Sequence, residues 1–271
     1  MTADQLRRLL TDVHLEVIPL PGMLEQAGAA PAGSVLTVTA SPSRGLENTI
    51  DFAVELQARG YQTVPHLSAR LVADRHHLGK IVARLDEAGV RRVLVIGGDP
   101  EPIGDFRDAL GVLEAMAEMG HPFLEVGIAG YPEGHPIIPY EHLREALLAK
   151  ASHATYIVTQ MSFHPQTIVD WVRSIRSDGI DLPVRVGLPG AVDLAHLVRV
   201  AGRIGVGDSV RFLTKNRSLL RILRPGGYRP GRLVTGLAGA ADVTVAGLHV
   251  FTFNQVASTV AWHRKMLARV G

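Results

Sequence analysis

The sequence predicts an α/β fold, a single-domain (βα)8 TIM barrel. Eight short runs rich in apolar and β-branched residues alternate with segments of helical period over 271 residues. Open parallel sheets commonly have roughly five to seven strands, whereas eight strands with intervening helices close into a barrel. The rival open sheet usually has a glycine-rich turn directly after its first strand, and here Pro19, Leu20 and Pro21 follow instead.

The predicted strands are short and spaced along the whole chain. They cover residues 14–18, 35–39, 63–67, 93–96, 123–128, 156–159, 184–188 and 248–252. The clearest helix between strands carries an apolar stripe at i, i+3, i+4 and i+7, formed by Leu78, Ile81, Val82 and Leu85. A second helix is predicted over 46–59, since Gly60 is a typical helix terminator.

One barrel domain is assigned to residues 1–271, with a helix before the first strand. The segment 204–245 is longer than one crossover, so an extra helical segment is expected around 205–240. A basic tract lies in that segment, with no acidic residue between Val210 and Ala241. It either attracts a phosphate or a polyglutamate tail, or forms a solvated helix face. Its cations are Arg211, Lys215, Arg217, Arg221, Arg224, Arg229 and Arg232.

Composition excludes several classes of function. The chain has no cysteine, which rules out disulfides, thiolate metal sites and a thiol nucleophile. A net charge of +2 does not favour nucleic-acid binding. No apolar run is long enough for a membrane span, and the N-terminus lacks the apolar core of a signal peptide. We therefore expect a cytoplasmic protein with no nucleic-acid or membrane partner.

Candidate site residues are the polar side chains at the carboxyl ends of the strands, where barrel active sites lie. Glu16 has apolar neighbours on its strand, so its carboxyl should point into the barrel and lose hydration. Such a carboxyl suits a general acid, and the alternative is a salt-bridged glutamate low in the barrel. The strand-end candidates are Glu16, Thr39, His66, Asp99, Tyr131, Gln160 and Asn254.

Asp99 and His66 also have structural alternatives. Asp99 follows a glycine turn that would let the backbone approach a ligand, but it could equally cap that turn. His66 could be a hydrogen-bonded core histidine. The segment 129–136 contains Glu133 and His135, yet no HExxH spacing accompanies them, so no metal site is predicted.

Nine segments, taken in order, resemble the methylenetetrahydrofolate reductase family. The most specific is VGIAGYPEGHP (126–136), and the resemblance extends over almost the whole chain. The others are LEVIPLPG (15–22), LTVTA (36–40), PHLSAR (65–70), VLVIGGDPEP (93–102), LLAK (147–150), YIVTQMSF (156–163), VGLPG (186–190) and HVFTFN (249–254).

The resemblance implies a barrel that reduces 5,10-methylenetetrahydrofolate to 5-methyltetrahydrofolate with NADH or NADPH through a flavin, FAD or FMN. Glu16 aligns with the acid that protonates nitrogen 10 and opens the ring to a 5-iminium cation. Asp99 aligns with an aspartate that contacts the pterin and offsets that cation. Gln160, Phe163 and Leu194 correspond to further substrate-binding residues. The cofactor-binding positions are Thr39, His66, Gly98, Tyr131, His135 and Lys150.

Four departures from the family pattern concern the flavin. Gly97 stands where an arginine is usual, Leu143 replaces an aspartate that holds the ribityl chain, and His164 and Gln255 replace an aspartate and an arginine. Without these partners a flavin phosphate and ribityl chain lose much of their binding. We therefore expect little or no flavin, with hydride passing directly from the nicotinamide to the iminium carbon.

Two other interpretations stay open at this level. One is a deazaflavin-dependent pterin reductase on the same fold, and the other is a non-catalytic folate-binding barrel. The sequence does not distinguish NADH from NADPH, and it does not show whether the chain forms a homo-oligomer.

Overall fold

The computed structural model describes residues 3–40, 44–192, 230–239 and 245–270. Eight parallel strands close a barrel in sequence order, and the first pairs with both the second and the eighth. This confirms the predicted (βα)8 TIM barrel. The described residues contain no helix of the length and apolarity needed to cross a membrane.

Every predicted strand is present, with ends that differ from the prediction by at most two residues. The largest difference is at the predicted strand 123–128, which is shifted by two residues at both ends. Phe123 precedes the observed strand and packs into the core at 6% exposure. The strands are β1 (Val13–Val17), β2 (Val35–Val38), β3 (Gln62–Ser68), β4 (Arg92–Ile96), β5 (Glu125–Gly130), β6 (Tyr156–Thr159), β7 (Val184–Pro189) and β8 (Gly247–Phe251).

Helices cover the outside of the barrel, and helix α1 precedes β1. The buried stripe on α4 is the one that the sequence predicts, and the Asp74 side chain caps that helix by accepting from the His77 N–H at 2.7 Å. The helices are α1 (Ala3–Thr11), α2 (Met23–Ala27), α3 (Gly45–Ala58), α4 (Arg75–Glu87), α5 (Ala109–Met119), α6 (Tyr140–Ala151), α7 (Pro165–Ser177), α8 (Pro230–Ala238) and α9 (Val256–Leu267).

Helix α8 falls within the segment where an extra helical segment is expected. It packs closely on α7, since a Cβ on Gly236 would lie 2.6 Å from Pro165 Cγ. The rest of that segment, with most of the basic tract, lies outside the described residues, and so does Leu194.

The barrel strands alternate between two cores. Leu15 and Val17 of β1 belong to the large core between the strands and the helices. A second, smaller cluster contains Val64, Leu94 and Tyr156. Along each strand these residues alternate with residues of the large core, so their side chains point to the opposite face of the sheet and fill the barrel interior. Side chains that share this inward phase therefore face one another across the barrel axis.

Candidate active site

Glu16 lies near the carboxyl end of β1, in the inward phase between Leu15 and Val17. Its side chain is 11% exposed. Its backbone is held by the residue that follows β8, because Thr252 Oγ1 donates to the Glu16 carbonyl at 2.6 Å. The carboxyl thus occupies the position inside the barrel that the alternation of apolar neighbours predicts.

Two histidines flank the Glu16 carboxyl. His249 of β8 places Nε2 at 3.0 Å from Glu16 Oε2, and His66 of β3 places Nε2 at 3.8 Å from the same oxygen. The two imidazole centroids are 6.2 Å apart. Burial lowers the pKa of His66 to about 4, although the Glu16 charge acts in the opposite direction. His66 is therefore a neutral imidazole at neutral pH.

His249 is a site residue that the sequence reasoning did not select. It is fully buried, and it lies between Leu248 and Val250 on its strand. This is the same pattern of a titratable side chain between two apolar residues that singled out Glu16. Applied to every strand, the pattern would have found His249 as well.

Asn254, a strand-end candidate, closes the seam between β8 and the end of β1. Its side-chain oxygen accepts from the Ile18 N–H at 2.8 Å, and its amide nitrogen donates to the Ile18 carbonyl at 2.9 Å. Its backbone has φ 62°, a left-handed conformation that asparagine tolerates. The Asn254 side chain therefore holds the backbone at the end of the Glu16 strand.

Asp99 belongs to a second group of predicted residues, at the end of β4 and β5. Burial and the Asp99 charge both raise the pKa of Tyr131. Burial lowers the pKa of His135, and Asp99 opposes that shift. The Tyr131 and His135 rings meet edge to face at 5.4 Å. The residue before Asp99 must be glycine. Gly98 has φ +91°, and a Cβ on Gly98 would lie 2.0 Å from Ser68 Oγ.

The loop after β6 carries Gln160 and Phe163, and Glu133 fixes its shape. Glu133 Oε1 accepts from the Phe163 N–H at 2.7 Å and from the His164 N–H at 3.2 Å. The Gln160 N–H donates to the Gly130 carbonyl at 2.7 Å. Glu133, present in the segment with the most specific resemblance but not selected as a site residue, thus positions the predicted substrate loop.

Thr39 and Lys150 are the remaining predicted cofactor residues. Thr39 follows β2, and its N–H donates to the Val17 carbonyl at 3.1 Å. Lys150 lies in the last turn of α6, where burial lowers its pKa and the Asp108 charge opposes that shift.

Two arginines among the described residues are bound within the protein. Arg144 on α6 makes two hydrogen bonds to Asp178, at 2.7 and 2.5 Å. Arg70, which follows β3, donates to the Arg107 carbonyl at 3.0 Å. Gly97 leaves open space where the family has a guanidinium. The Arg144 and Arg70 guanidinium groups are thus engaged within the protein.

Glu16, His66 and His249 are also residue types that ligate metals, and their nearest ligand atoms lie within 4.8 Å of one another. A metal-bound histidine normally donates its other ring N–H to a partner. His249 Nδ1 is buried and has no hydrogen-bond partner among the described residues. This argues against a resident metal, and the absence of a metal site stays a prediction.

The buried histidines predict that the fold is weakened by mild acid. Burial lowers the pKa of His14 to about 2 and that of His66 to about 4, from an ordinary value of 6.5. Between pH 6.5 and about 4 the unfolded chain therefore binds protons that the folded chain does not. Each histidine should lower the free energy of unfolding by up to about 1.4 kcal/mol for each unit by which the pH falls within this window. Above pH 6.5 the full stability is restored.

Urea unfolding across this pH window measures the effect. Asp74 and Asp178 do not contribute to the pH dependence in this window, because their pKa values are lowered from 3.8 and they titrate at more acidic pH. His66→Gln should flatten the dependence, whereas substitution of the exposed His76 should not. A pH-independent midpoint in the unmodified chain would contradict the assignment.

The fold and the site define the class of protein. It is a (βα)8 barrel with a candidate acid–base site, a nearly buried carboxyl between two imidazoles, toward the carboxyl ends of its strands. A family profile described as "Methylenetetrahydrofolate reductase" matches residues 24–202. The chain belongs to the methylenetetrahydrofolate reductase family. Glu16 and His249 lie outside the matched span, so the profile match does not bear on their roles.

Curated relatives agree with this assignment. Methylenetetrahydrofolate reductase 1 of Schizosaccharomyces pombe is 26% identical over 155 residues, which are 53% of this chain and 24% of that protein. Methylenetetrahydrofolate reductase 2 of Saccharomyces cerevisiae is 26% identical over 136 residues, which are 44% of this chain and 22% of that protein. The similarity thus spans about a quarter of these relatives' length.

Solved structures share the fold at low sequence identity. A candidate phosphonomutase from Burkholderia cenocepacia J2315 has TM-score 0.53 and 14% identity, covering 98% of this chain and 97% of that chain. A tryptophan synthase structure from M. tuberculosis has TM-score 0.50 and 14% identity, with 98% and 96% coverage. At this identity the likeness shows the barrel fold alone.

Proposed function

We propose that this chain reduces 5,10-methylenetetrahydrofolate to 5-methyltetrahydrofolate with NADH or NADPH. One hydride and one proton are added, and the nicotinamide leaves oxidised. The observation that carries the proposal is the Glu16 carboxyl, nearly buried inside the barrel and 3.0 Å from the His249 imidazole. A carboxylic acid inside the barrel is the kind of proton donor that the ring-opening step needs.

Glu16 acts first in this scheme. Its proton passes to nitrogen 10 of the substrate, the bond from that nitrogen to the methylene carbon breaks, and a 5-iminium cation forms. Hydride from the nicotinamide then adds to the iminium carbon and completes the methyl group. Opposite charge close to the cation lowers the barrier to its formation, which is the role that we assign to Asp99.

The positions of the two acids support this division of roles. Strands β1 and β4 are three places apart in a ring of eight strands, so Glu16 and Asp99 approach the mouth from different sides. A pterin between them would meet the acid on one side and the anion on the other. We propose three further substrate contacts. Two are Gln160 and Phe163, on the loop that Glu133 holds, and the third is Leu194.

Hydride transfer without flavin is the second part of the proposal. Arg144 and Arg70 are bound within the protein, and Gly97 and Leu143 supply no polar side chain for a flavin. The nicotinamide nucleotide would then use the cofactor positions of the family. These are Thr39, His66, Gly98, Tyr131, His135 and Lys150.

Isotope transfer separates the direct route from a flavin route. The purified chain is given methylenetetrahydrofolate and nicotinamide deuterated at the transferred C4 position, in ordinary water. Direct transfer keeps the deuterium in the product methyl group, because a carbon-bound hydride never exchanges with solvent. A reduced flavin carries the hydride on nitrogen, where it exchanges, and the product would be unlabelled.

Absorbance and turnover complete the test. We expect a colourless protein that oxidises NADH or NADPH only when methylenetetrahydrofolate is present. A yellow protein, or turnover that appears only on adding FAD or FMN, would establish the flavin route. Folate binding without turnover under either condition would establish a non-catalytic barrel.

A further inference from the structure

We propose that His249 is a positioning residue for Glu16, through a hydrogen bond from its Nε2–H to Glu16 Oε2. The bond would turn the other carboxyl oxygen, Oε1, toward the substrate as the proton donor. It would also stabilise the carboxylate that remains once the proton has left. The inference rests on the proposed function, because it assigns a partner to the acid of that reaction.

The hydrogen-bond inventory of His249 indicates which nitrogen carries the proton. Nε2 lies 3.0 Å from Glu16 Oε2, whereas Nδ1 is buried and has no partner among the described residues. A proton on Nδ1 would leave an N–H donor unpaired in the barrel interior, which is costly. A proton on Nε2 makes the bond to Glu16 and leaves only a lone pair without a partner.

The imidazole ring is held in place by its surroundings. His249 is fully buried and pairs in register with His14 of β1. Phe251, the next inward residue of β8, meets the His249 ring at a centroid distance of 4.9 Å and 64° between planes. A donor locked by packing needs no reorganisation when charge develops on its acceptor, so the bond strengthens at the moment of proton transfer.

Other titratable groups around Glu16 do not offer this bond. His66 Nε2 is 3.8 Å from Oε2, beyond hydrogen-bond reach, and it has no partner among the described residues. His14 shares β1 with Glu16, and its Nε2 lies instead 3.8 Å from Asp12 Oδ1. In the described part of the chain, His249 is the group within hydrogen-bond distance of the Glu16 carboxyl.

Two amide substitutions of His249 form a matched pair for the test. Glutamine places its side-chain N–H at about the reach of the imidazole Nε2, whereas asparagine reaches only as far as Nδ1. Both are neutral and polar, so they share the cost of burying an amide. We expect His249→Asn to lower kcat on the order of 10- to 100-fold, with KM for the folate little changed, and His249→Gln to restore most of kcat.

The pH profile supplies a readout that a merely structural role would not move. Turnover needs a protonated Glu16, so kcat should fall as the pH rises. Without the Nε2–H donor the carboxylate is less favoured, and in His249→Asn this fall should move to higher pH while the maximum drops. An equal loss at every pH, with no recovery in His249→Gln, would overturn the inference.

Nitrogen NMR of the imidazole groups tests the bond without turnover. The His249 signal should be that of the Nε2–H tautomer, with a slowly exchanging proton whose shift changes in Glu16→Gln. An Nδ1–H tautomer would overturn the inference even if a His249 variant failed to fold. No turnover in the unmodified chain would overturn the proposed function and this inference together, whereas unchanged kcat in His249→Asn of an active chain would overturn this inference alone.

Discussion

Glu16→Gln is expected to lower turnover by about 10²- to 10⁴-fold while tetrahydrofolate still binds. The amide keeps the volume and polarity of the side chain, but it cannot give up an acidic proton to nitrogen 10. The Glu16 side chain is only 11% exposed, so bulk solvent has little access to the place from which it would donate. The loss should therefore appear in kcat, with a small change in the dissociation constant of the folate.

Steady-state oxidation of NADH or NADPH and calorimetric titration with tetrahydrofolate measure these two quantities. Glu25→Gln is the matched control, since it makes the same change on the exposed surface of α2 and should leave both values unchanged. Unaltered turnover in Glu16→Gln would remove this residue from the proposed mechanism. Loss of folate binding in the same variant would assign it to binding instead of proton transfer.

Gly187→Ala is expected to destabilise the fold by about 1–3 kcal/mol or more. A Cβ at this position in β7 would lie 2.2 Å from the Thr159 carbonyl oxygen and 2.9 Å from Phe251 Cε2. Backbone cannot move aside as a flexible side chain can, and the Gly187 N–H is also bonded to Thr159 Oγ1 at 2.8 Å. The end of β6, which precedes Gln160, would have to shift.

Gly79→Ala is the control for this substitution. Gly79 lies within α4 with no atom within 4 Å of its would-be Cβ, so alanine there should stabilise by about 0.5–1 kcal/mol. Urea midpoints of the two variants should therefore move in opposite directions. A Gly187→Ala chain as stable as the unmodified protein would show that β6 and β7 can separate at low cost.

Local patterns were sufficient for much of the architecture. The strand over 156–159 and the buried stripe on α4 agree with the structure, because period-two and period-3.6 burial are written directly in the order of apolar residues. Glu16 was found in the same way, since its two neighbours face the outer core and leave it facing inward. These features depend on residues within one turn or one strand.

Contacts between distant segments decided the rest. His249 and Glu16 are 233 positions apart, and only closure of the barrel between β8 and β1 brings their side chains together. Glu133 follows β5 and accepts a hydrogen bond from the loop that follows β6. Asn254 bonds the backbone of Ile18, at the end of β1. No local pattern encodes which side chain a closed sheet places opposite another.

The barrel and the inward position of Glu16 therefore follow from residue order alone, because each depends on the identity or spacing of neighbouring residues. Tertiary structure decided the partner of the acid. It also separated the candidates into a Glu16, His66 and His249 cluster and an Asp99, Tyr131 and His135 group. The physical reason is that charge and hydrogen-bond geometry act through space, over distances that the closure of eight strands sets.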